Sequence, residues 1–282
     1  MQDFSHQVAA ITGAGSGIGR ALAVALASQG CDLALADLNT DGLEKTRSML
    51  DGTSVKVSVH RLDVASRQAL EQFADEVMEF HGKVSLLFNN AGVALASSAE
   101  TTSEEDFHWL MNINFWGVVN GCQVFLPLLR KQPRAHIINI SSVFGLIAMP
   151  TQAAYNASKF AVRGYSEALQ QELADSNVEL SVVCPGGVRT SIAANARVDK
   201  ASAQALGGGE SFSRRFDKLA KTTPAQAADI ILDGVRKGHK RILVGRDAQV
   251  IHWITRLFPR SYAGLLARVM PIPGINVPAR NR

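Results

Sequence analysis

Tyr155 and Lys159 stand four residues apart in Tyr155-Asn156-Ala157-Ser158-Lys159, at the head of a stretch patterned as a helix. That spacing puts the phenol and the ammonium on one helix face. A cation near a phenol lowers its pKa from about 10, the change a tyrosine needs to exchange protons near neutrality. Alone, the pair has a plainer reading, a half-buried ring beside a solvated amine. Ser141 and Ser142 close the apolar run before it, Ser142 thirteen residues ahead of Tyr155.

A second group of residues suits phosphate. The first apolar run passes into Thr12-Gly13-Ala14-Gly15-Ser16-Gly17-Ile18-Gly19-Arg20 and then an alanine-rich helical pattern. Glycines let the backbone approach a pyrophosphate, which the free N–H groups and positive end of the helix attract. A glycine run by itself is a tight turn; its place between strand and helix favours dinucleotide binding. Asp37 follows the second strand pattern about 20 residues on, where a carboxylate accepts the adenosine ribose diol and repels a 2′-phosphate. Ser16 and Leu38 stand where a phosphate-clamping base would be useful, so NAD(H) is favoured, with NADP(H) left open.

These residues need elements to hold them. Strands are expected at 7–12, 32–36, 56–61, 84–89, 136–140, 179–184 and Arg241–Val244, and helices at 17–28, 40–50, 66–80, 103–129, 153–174 and 224–237. Alternation at this spacing specifies parallel pairing through right-handed crossovers, hence an α/β doubly wound sheet of about seven strands with helices on both faces. No linker divides 1–245, which reads as one domain. An Ala-, Ser- and Gly-rich stretch at about 191–222 is the natural lid over a ligand site. Thr223-Pro224 after it is a helix start, Thr at N-cap and Pro at N1.

The glycine loop, Asp37, Asp63-Val64, Asn89-Asn90-Ala91-Gly92, Ser142, the Tyr155/Lys159 pair and Pro185-Gly186 resemble, in order and spacing, the short-chain dehydrogenase/reductase family over roughly residues 5–245. The resemblance implies a Rossmann-like domain and a nicotinamide-dependent oxidoreductase interconverting an alcohol and a carbonyl. It places Gly13, Ser16, Gly17, Ile18 and Gly19 at the pyrophosphate, Asp37 at the ribose, Asp63 and Val64 at the adenine, and Asn90 beside the cofactor ribose. Pro185, Gly186, Val188 and Thr190 would border the nicotinamide. Tyr155 would move the proton, Ser142 hold the substrate oxygen, Lys159 bind the nicotinamide ribose and lower the Tyr155 pKa, and Asn114, in Asn114-x-x-Gly117, hold a relay water. It also implies a homodimer, or a homotetramer, through helices 103–129 and 153–174. No metal is expected.

The template places Val93, Val143, Phe144, Ile147, Met149, Val188 and Ile192 around the substrate, which suits a lipophilic alcohol, ketone or aldehyde. Arg189 and Arg197 offer the alternative of an acidic group. Other readings stand beside this: a catalytically vestigial dinucleotide sensor or scaffold, or an NADPH-dependent acyl or aldehyde reductase at a membrane surface.

The 282 residues carry a net charge of +4 that hides a split: residues 234–282 hold 10 Lys+Arg and one acid, Asp247, leaving the body at −5. At 246–282 the apolar positions recur at three and four, two short amphipathic helices broken at Pro259. Packing on the body or another subunit, attachment to an anionic membrane surface, and a cap over the substrate entrance compete as explanations. The aromatics there follow a helical burial pattern, so nucleic acid is not an expected partner. Three dispersed cysteines exclude a disulfide framework, and no uncharged stretch is apolar enough to span a bilayer. The cytoplasm is the expected location, with membrane association as the alternative.

Overall fold

The computed structural model describes residues 3–199, 202 and 220–269. Most of the lid expected at 191–222 and the end of the tail, 270–282, lie outside the described residues.

Seven strands form one parallel sheet: β1 (Val8–Thr12), β2 (Asp32–Asp37), β3 (Val57–Arg61), β4 (Leu86–Asn89), β6 (Ala135–Ile140), β7 (Val178–Pro185) and β9 (Arg241–Val244), in the order β3-β2-β1-β4-β6-β7-β9. Every residue of β1, β4 and β6 is buried, as a sheet covered on both faces demands. The order reverses between β1 and β4, which pair through Ala9↔Leu86 to Ile11↔Phe88. Such a reversal opens a crevice at the carboxyl ends of the strands. A separate two-residue pair, β5 (Leu95–Ala96) with β8 (Arg197–Val198), was not foreseen.

Helices cover both faces. α1 (Gly17–Ala27) and α7 (Pro224–Arg236) share one core, where Leu22 and Leu26 meet Ile231 and Val235. α3 (Arg67–His81), α5 (Gly117–Leu129) and α6 (Ala153–Glu172) share the other. There Phe73 and Phe125 lie 5.6 Å apart, and truncating either to Ala would cost about 3–5 kcal/mol. α2 (Thr40–Ser48) packs beside β2 and β3. α7 begins as its sequence requires: Thr223 and Gln226 form a capping box with Pro224 in the first turn.

The helix expected at 103–129 is interrupted. α4 (Glu104–Met111) runs into a π-helical turn at Asn112–Trp116 before α5 begins. Such a turn adds a residue without ending the helix and is frequent at functional sites. The tail forms α8 (Arg246–Leu257) and α9 (Tyr262–Val269), separated at Pro259 as expected. Ala248, Ile251 and Leu266 pack on Val143 and Ile147, so the tail rests on the 3-10 turn Val143–Gly145. Among the described residues no helix is long and apolar enough to cross a membrane.

Candidate functional site

The carboxyl ends of β1, β2, β4, β6, β7 and β9 open into a cavity of about 1600 Å³. Asn90, just past β4, staples the crevice. Its Nδ2 donates to the carbonyl oxygens of Thr12 at 2.9 Å and Gly13 at 3.2 Å, and its N–H donates to the Thr12 hydroxyl at 3.0 Å. Gly13 sits at φ +67°, and a Cβ there would come within 2.8 Å of Asn90 Nδ2 and Ala91 Cα. Only glycine takes this turn without strain.

The loop from Gly13 leads to α1, whose N-cap Ser16 makes no capping hydrogen bond. Gly13, Ser16, Gly17 and Ile18 all line the cavity. The first-turn amides are thus left without a capping side chain at the cavity wall, which fits an anionic diphosphate. Gly19 departs from expectation. It is buried and absent from the cavity wall, and a Cβ on it would overlap the Gly13 carbonyl oxygen. Its role is close packing of α1 against the loop.

Asp37 ends β2 with both oxygens anchored: Oδ2 accepts the Gly15 N–H and Oδ1 the Asn39 N–H, each at 2.9 Å. The remaining lone pairs fit a ribose diol. Arg20 donates to the carbonyl oxygens of Gly15 and Gly42 and to the Thr46 hydroxyl, and Arg47 pairs with Glu44 at 3.8 Å. Asp63 and Val64 line the wall beyond Asp37. Asp63 accepts the Ala65 amide at 2.9 Å.

At the other end Ser142, Tyr155 and Lys159 line the same cavity. Three hydrogen bonds fix their spacing: Ser141 Oγ donates to the Lys159 carbonyl at 2.8 Å, and Asn156 Nδ2 donates to the carbonyls of Phe144 and Ile147 at 3.1 and 2.9 Å. The β6 end is thereby tied to the first turns of α6. The Ser142 hydroxyl accepts the Phe144 N–H at 3.1 Å and lies near enough to the Tyr155 phenol to favour its ionised form. Lys159, 4% exposed, donates to the Ile140 carbonyl at 3.1 Å, with Nζ 5.7 Å from the Tyr155 ring centre.

Burial dominates the electrostatics of the pair. Burial pushes the Tyr155 phenol up to about 12, with the Ser142 hydrogen bond pulling the other way. Burial also lowers Lys159 to about 8, opposed by Cys184. Burial is the larger influence on the phenol. A phenol shifted in this direction is held protonated and so suited to donate a proton.

Asn114 lies in the π-helical turn, fully buried and off the cavity wall. Its Oδ1 accepts the Val93 N–H at 2.8 Å, and its Nδ2 donates to the Val93 carbonyl at 3.0 Å and the Ser158 hydroxyl at 3.2 Å. Asn114 thus grips the strand-end loop and the helix bearing Lys159.

Pro185, the last residue of β7, lines the cavity with Gly186, Val188 and Thr190 after it, and Val93, Val143, Phe144, Met149 and Ile192 join them. Ile147 instead lies in the core beneath. Arg189 and Arg197 are both off the wall. Arg197 pairs with Asp106 at 2.7 Å and stacks 3.7 Å over the Trp109 ring, so it is committed elsewhere. Sequence reasoning missed Asp247, whose carboxylate accepts the Gly187 N–H at 2.6 Å beside the cavity. The signal was a lone acid in a basic tail. Arg246, Gln249, Val250 and Ile251 join it in the wall, so the tail both packs on the body and covers part of the site.

The family model for short chain dehydrogenases matches residues 7–201. The chain belongs to this family. As a short-chain dehydrogenase it is an oxidoreductase with a nicotinamide dinucleotide cofactor. A Mycobacterium tuberculosis relative, whose name, SadH, gives it as an oxidoreductase without a substrate, is 44% identical over 270 residues, 95% of this chain and 96% of that protein. A 3-ketodihydrosphingosine reductase from Bacteroides thetaiotaomicron is 36% identical over 216 residues, 76% of each chain. Among solved structures, a short-chain dehydrogenase/reductase from Burkholderia phymatum in complex with NAD superposes with a TM-score of 0.83 at 32% identity, covering 98% of this chain and 100% of that one.

Proposed function

We propose that this short-chain dehydrogenase interconverts a lipophilic carbonyl compound and its alcohol, with NAD(H) preferred over NADP(H) and Tyr155 as the proton donor and acceptor. The observation that carries the reading is the placement of Ser142, Tyr155 and Lys159 in the wall of the same cavity that holds the glycine loop and Asp37. When bound, the nicotinamide supplies or accepts hydride at the substrate carbon. Gly13, Ser16, Gly17 and Ile18 hold the diphosphate, Asp37 the ribose, Asp63 and Val64 the adenine, and Pro185, Gly186, Val188 and Thr190 the far end.

The Ser142 and Tyr155 hydroxyls converge on one point, where they hold the substrate oxygen. As negative charge grows there in reduction, both stabilise it, and the phenol, raised to about 12, gives up its proton. Lys159, held by Ile140, sets a positive charge beside the phenolate that results, and Asn114 positions Lys159 and a relay water from the opposite side. The NAD(H) preference follows from Asp37 and from Arg20 and Arg47 being engaged elsewhere, which leaves neither to neutralise a 2′-phosphate.

The apolar wall of Val93, Val143, Phe144, Met149 and Ile192, joined by Val250 and Ile251 from the tail, supports a lipophilic substrate. The relative named for reducing 3-ketodihydrosphingosine agrees. Exposed Trp116 and Phe160, 49% and 40% accessible on the π-helical turn and α6, support a homodimer through those helices.

The test is turnover of ketones and aldehydes of rising chain length with each reduced cofactor. Each methylene that enters the wall adds about 0.8 kcal/mol, so kcat/KM rises about fourfold per carbon until the pocket is full. A kcat/KM independent of chain length contradicts the lipophilic assignment.

A further inference from the structure

The outward face of α8 is apolar where a surface helix should be polar. Val250, Trp253 and Leu257 are 56%, 59% and 66% exposed, and Phe258 follows them at 49%. At 3.6 residues per turn Arg246, Val250, Trp253 and Leu257 form a single stripe, while Ala248 and Ile251 pack inward on the 3-10 turn after Ser142. Two apolar faces on one short surface helix call for something against the outer one.

The surrounding charge selects what that is. Arg246, Arg256 and Arg260 are exposed around the stripe. The one acid of residues 246–269, Asp247, has its carboxylate turned to the Gly187 amide. A two-fold contact between copies would set this arginine group against itself, because such an interface pairs the same patch on both subunits. An anionic bilayer meets both properties: apolar side chains with a tryptophan enter the headgroup boundary while arginines face lipid phosphates. At 12 residues α8 is too short to span a bilayer and suits lying in the interface plane.

We propose that α8 is an interfacial helix that docks this enzyme on an anionic membrane surface through Val250, Trp253, Leu257 and Phe258, ringed by Arg246, Arg256 and Arg260. Arg246 and Val250 also belong to the cavity wall, so the docked stripe adjoins the mouth of the site. A substrate dissolved in the leaflet then reaches the cavity without crossing bulk water. That consequence rests on the lipophilic substrate reading above; the docking itself does not.

The test is flotation of the full chain with phosphatidylcholine vesicles containing about 30% phosphatidylglycerol, against phosphatidylcholine alone. Wild type floats with the anionic vesicles, is released at about 1 M salt, and shows a blue shift of tryptophan emission that Trp253→Phe removes. A Trp253→Ser/Leu257→Ser variant, changed at residues off the cavity wall, stays unbound while its melting temperature and turnover of a water-soluble carbonyl match wild type. Arg256→Glu weakens flotation at about 0.1 M salt. Equal distribution of wild type and the double variant overturns the proposal. So does a dimer, seen by sedimentation without vesicles, that the double variant dissociates, since that assigns the stripe to a second copy. Flotation reads no turnover, so loss of docking and loss of the enzymatic reading are separate results.

Discussion

The Asp247 carboxylate accepts the Gly187 N–H at 2.6 Å, joining the first turn of α8 to the turn that follows β7. Its seat is made by two glycines, because a Cβ on Gly186 or Gly245 would overlap the carboxylate. The turn it holds carries Pro185, Gly186 and Val188, the wall proposed for the nicotinamide. Asp247→Ala should therefore raise the KM for cofactor about three- to tenfold, the weight of one hydrogen bond of about 1 kcal/mol, with a smaller change in kcat. Asp247→Asn keeps an acceptor and should restore most of the loss. Initial rates at varied cofactor check this; an unchanged KM in Asp247→Ala would leave the contact without a functional role.

Opposite pH slopes are expected in the two directions. Lys159 is lowered to about 8 and Tyr155 raised to about 12. Reduction needs a protonated phenol, kept throughout, and a charged Lys159, lost as pH rises through about 8, so its rate falls above that point. Oxidation needs the phenolate and speeds up with pH. For stability, folded Lys159 releases its proton near 8 and the unfolded side chain near 10.5, so the unfolded chain binds more protons in that window and stability from this group rises with pH across it. A reduction rate that climbs between about pH 7 and 9 would contradict the assignment.

In the proposed reading, cofactor choice turns on one carboxylate. Asp37→Ala removes the acceptor for the ribose diol and the charge facing a 2′-phosphate, at about 1.5–3 kcal/mol for a charged hydrogen bond. The ratio of kcat/KM for NADH over NADPH should fall about ten- to a hundredfold. A melting curve accompanies it, since Asp37 also anchors the amides of Gly15 and Asn39. An unchanged ratio would remove Asp37 from the selection.

The central strands were legible because β1, β4 and β6 are short, wholly buried runs, while the edge strand β3, Val-Ser-Val-His-Arg, showed itself by its β-branched alternation. The interruption at Asn112–Trp116 was not, since a π-helical turn keeps an almost helical spacing of apolar residues. β5 and β8 are two residues each, below what alternation can register. Spacing put Tyr155 and Lys159 on one face, whereas the burial that raises the phenol depends on what packs around α6 and has no local signal. Gly19 reads as one more loop glycine in the chain and proves to be a packing contact, while Arg197 looked available until Asp106 and Trp109 were brought to it. Asp247 shows the same limit, since its partner Gly187 lies sixty residues away.

The most direct measurement of the central claim is turnover and cofactor affinity of Tyr155→Phe. The substitution keeps the ring and removes only the hydroxyl that shares the cavity wall with Ser142. The account predicts that kcat for the best carbonyl substrate drops about 100- to 10,000-fold, the contribution of a positioned acid, while the dissociation constant for NADH stays within about twofold. Turnover at the wild-type rate by Tyr155→Phe would contradict it.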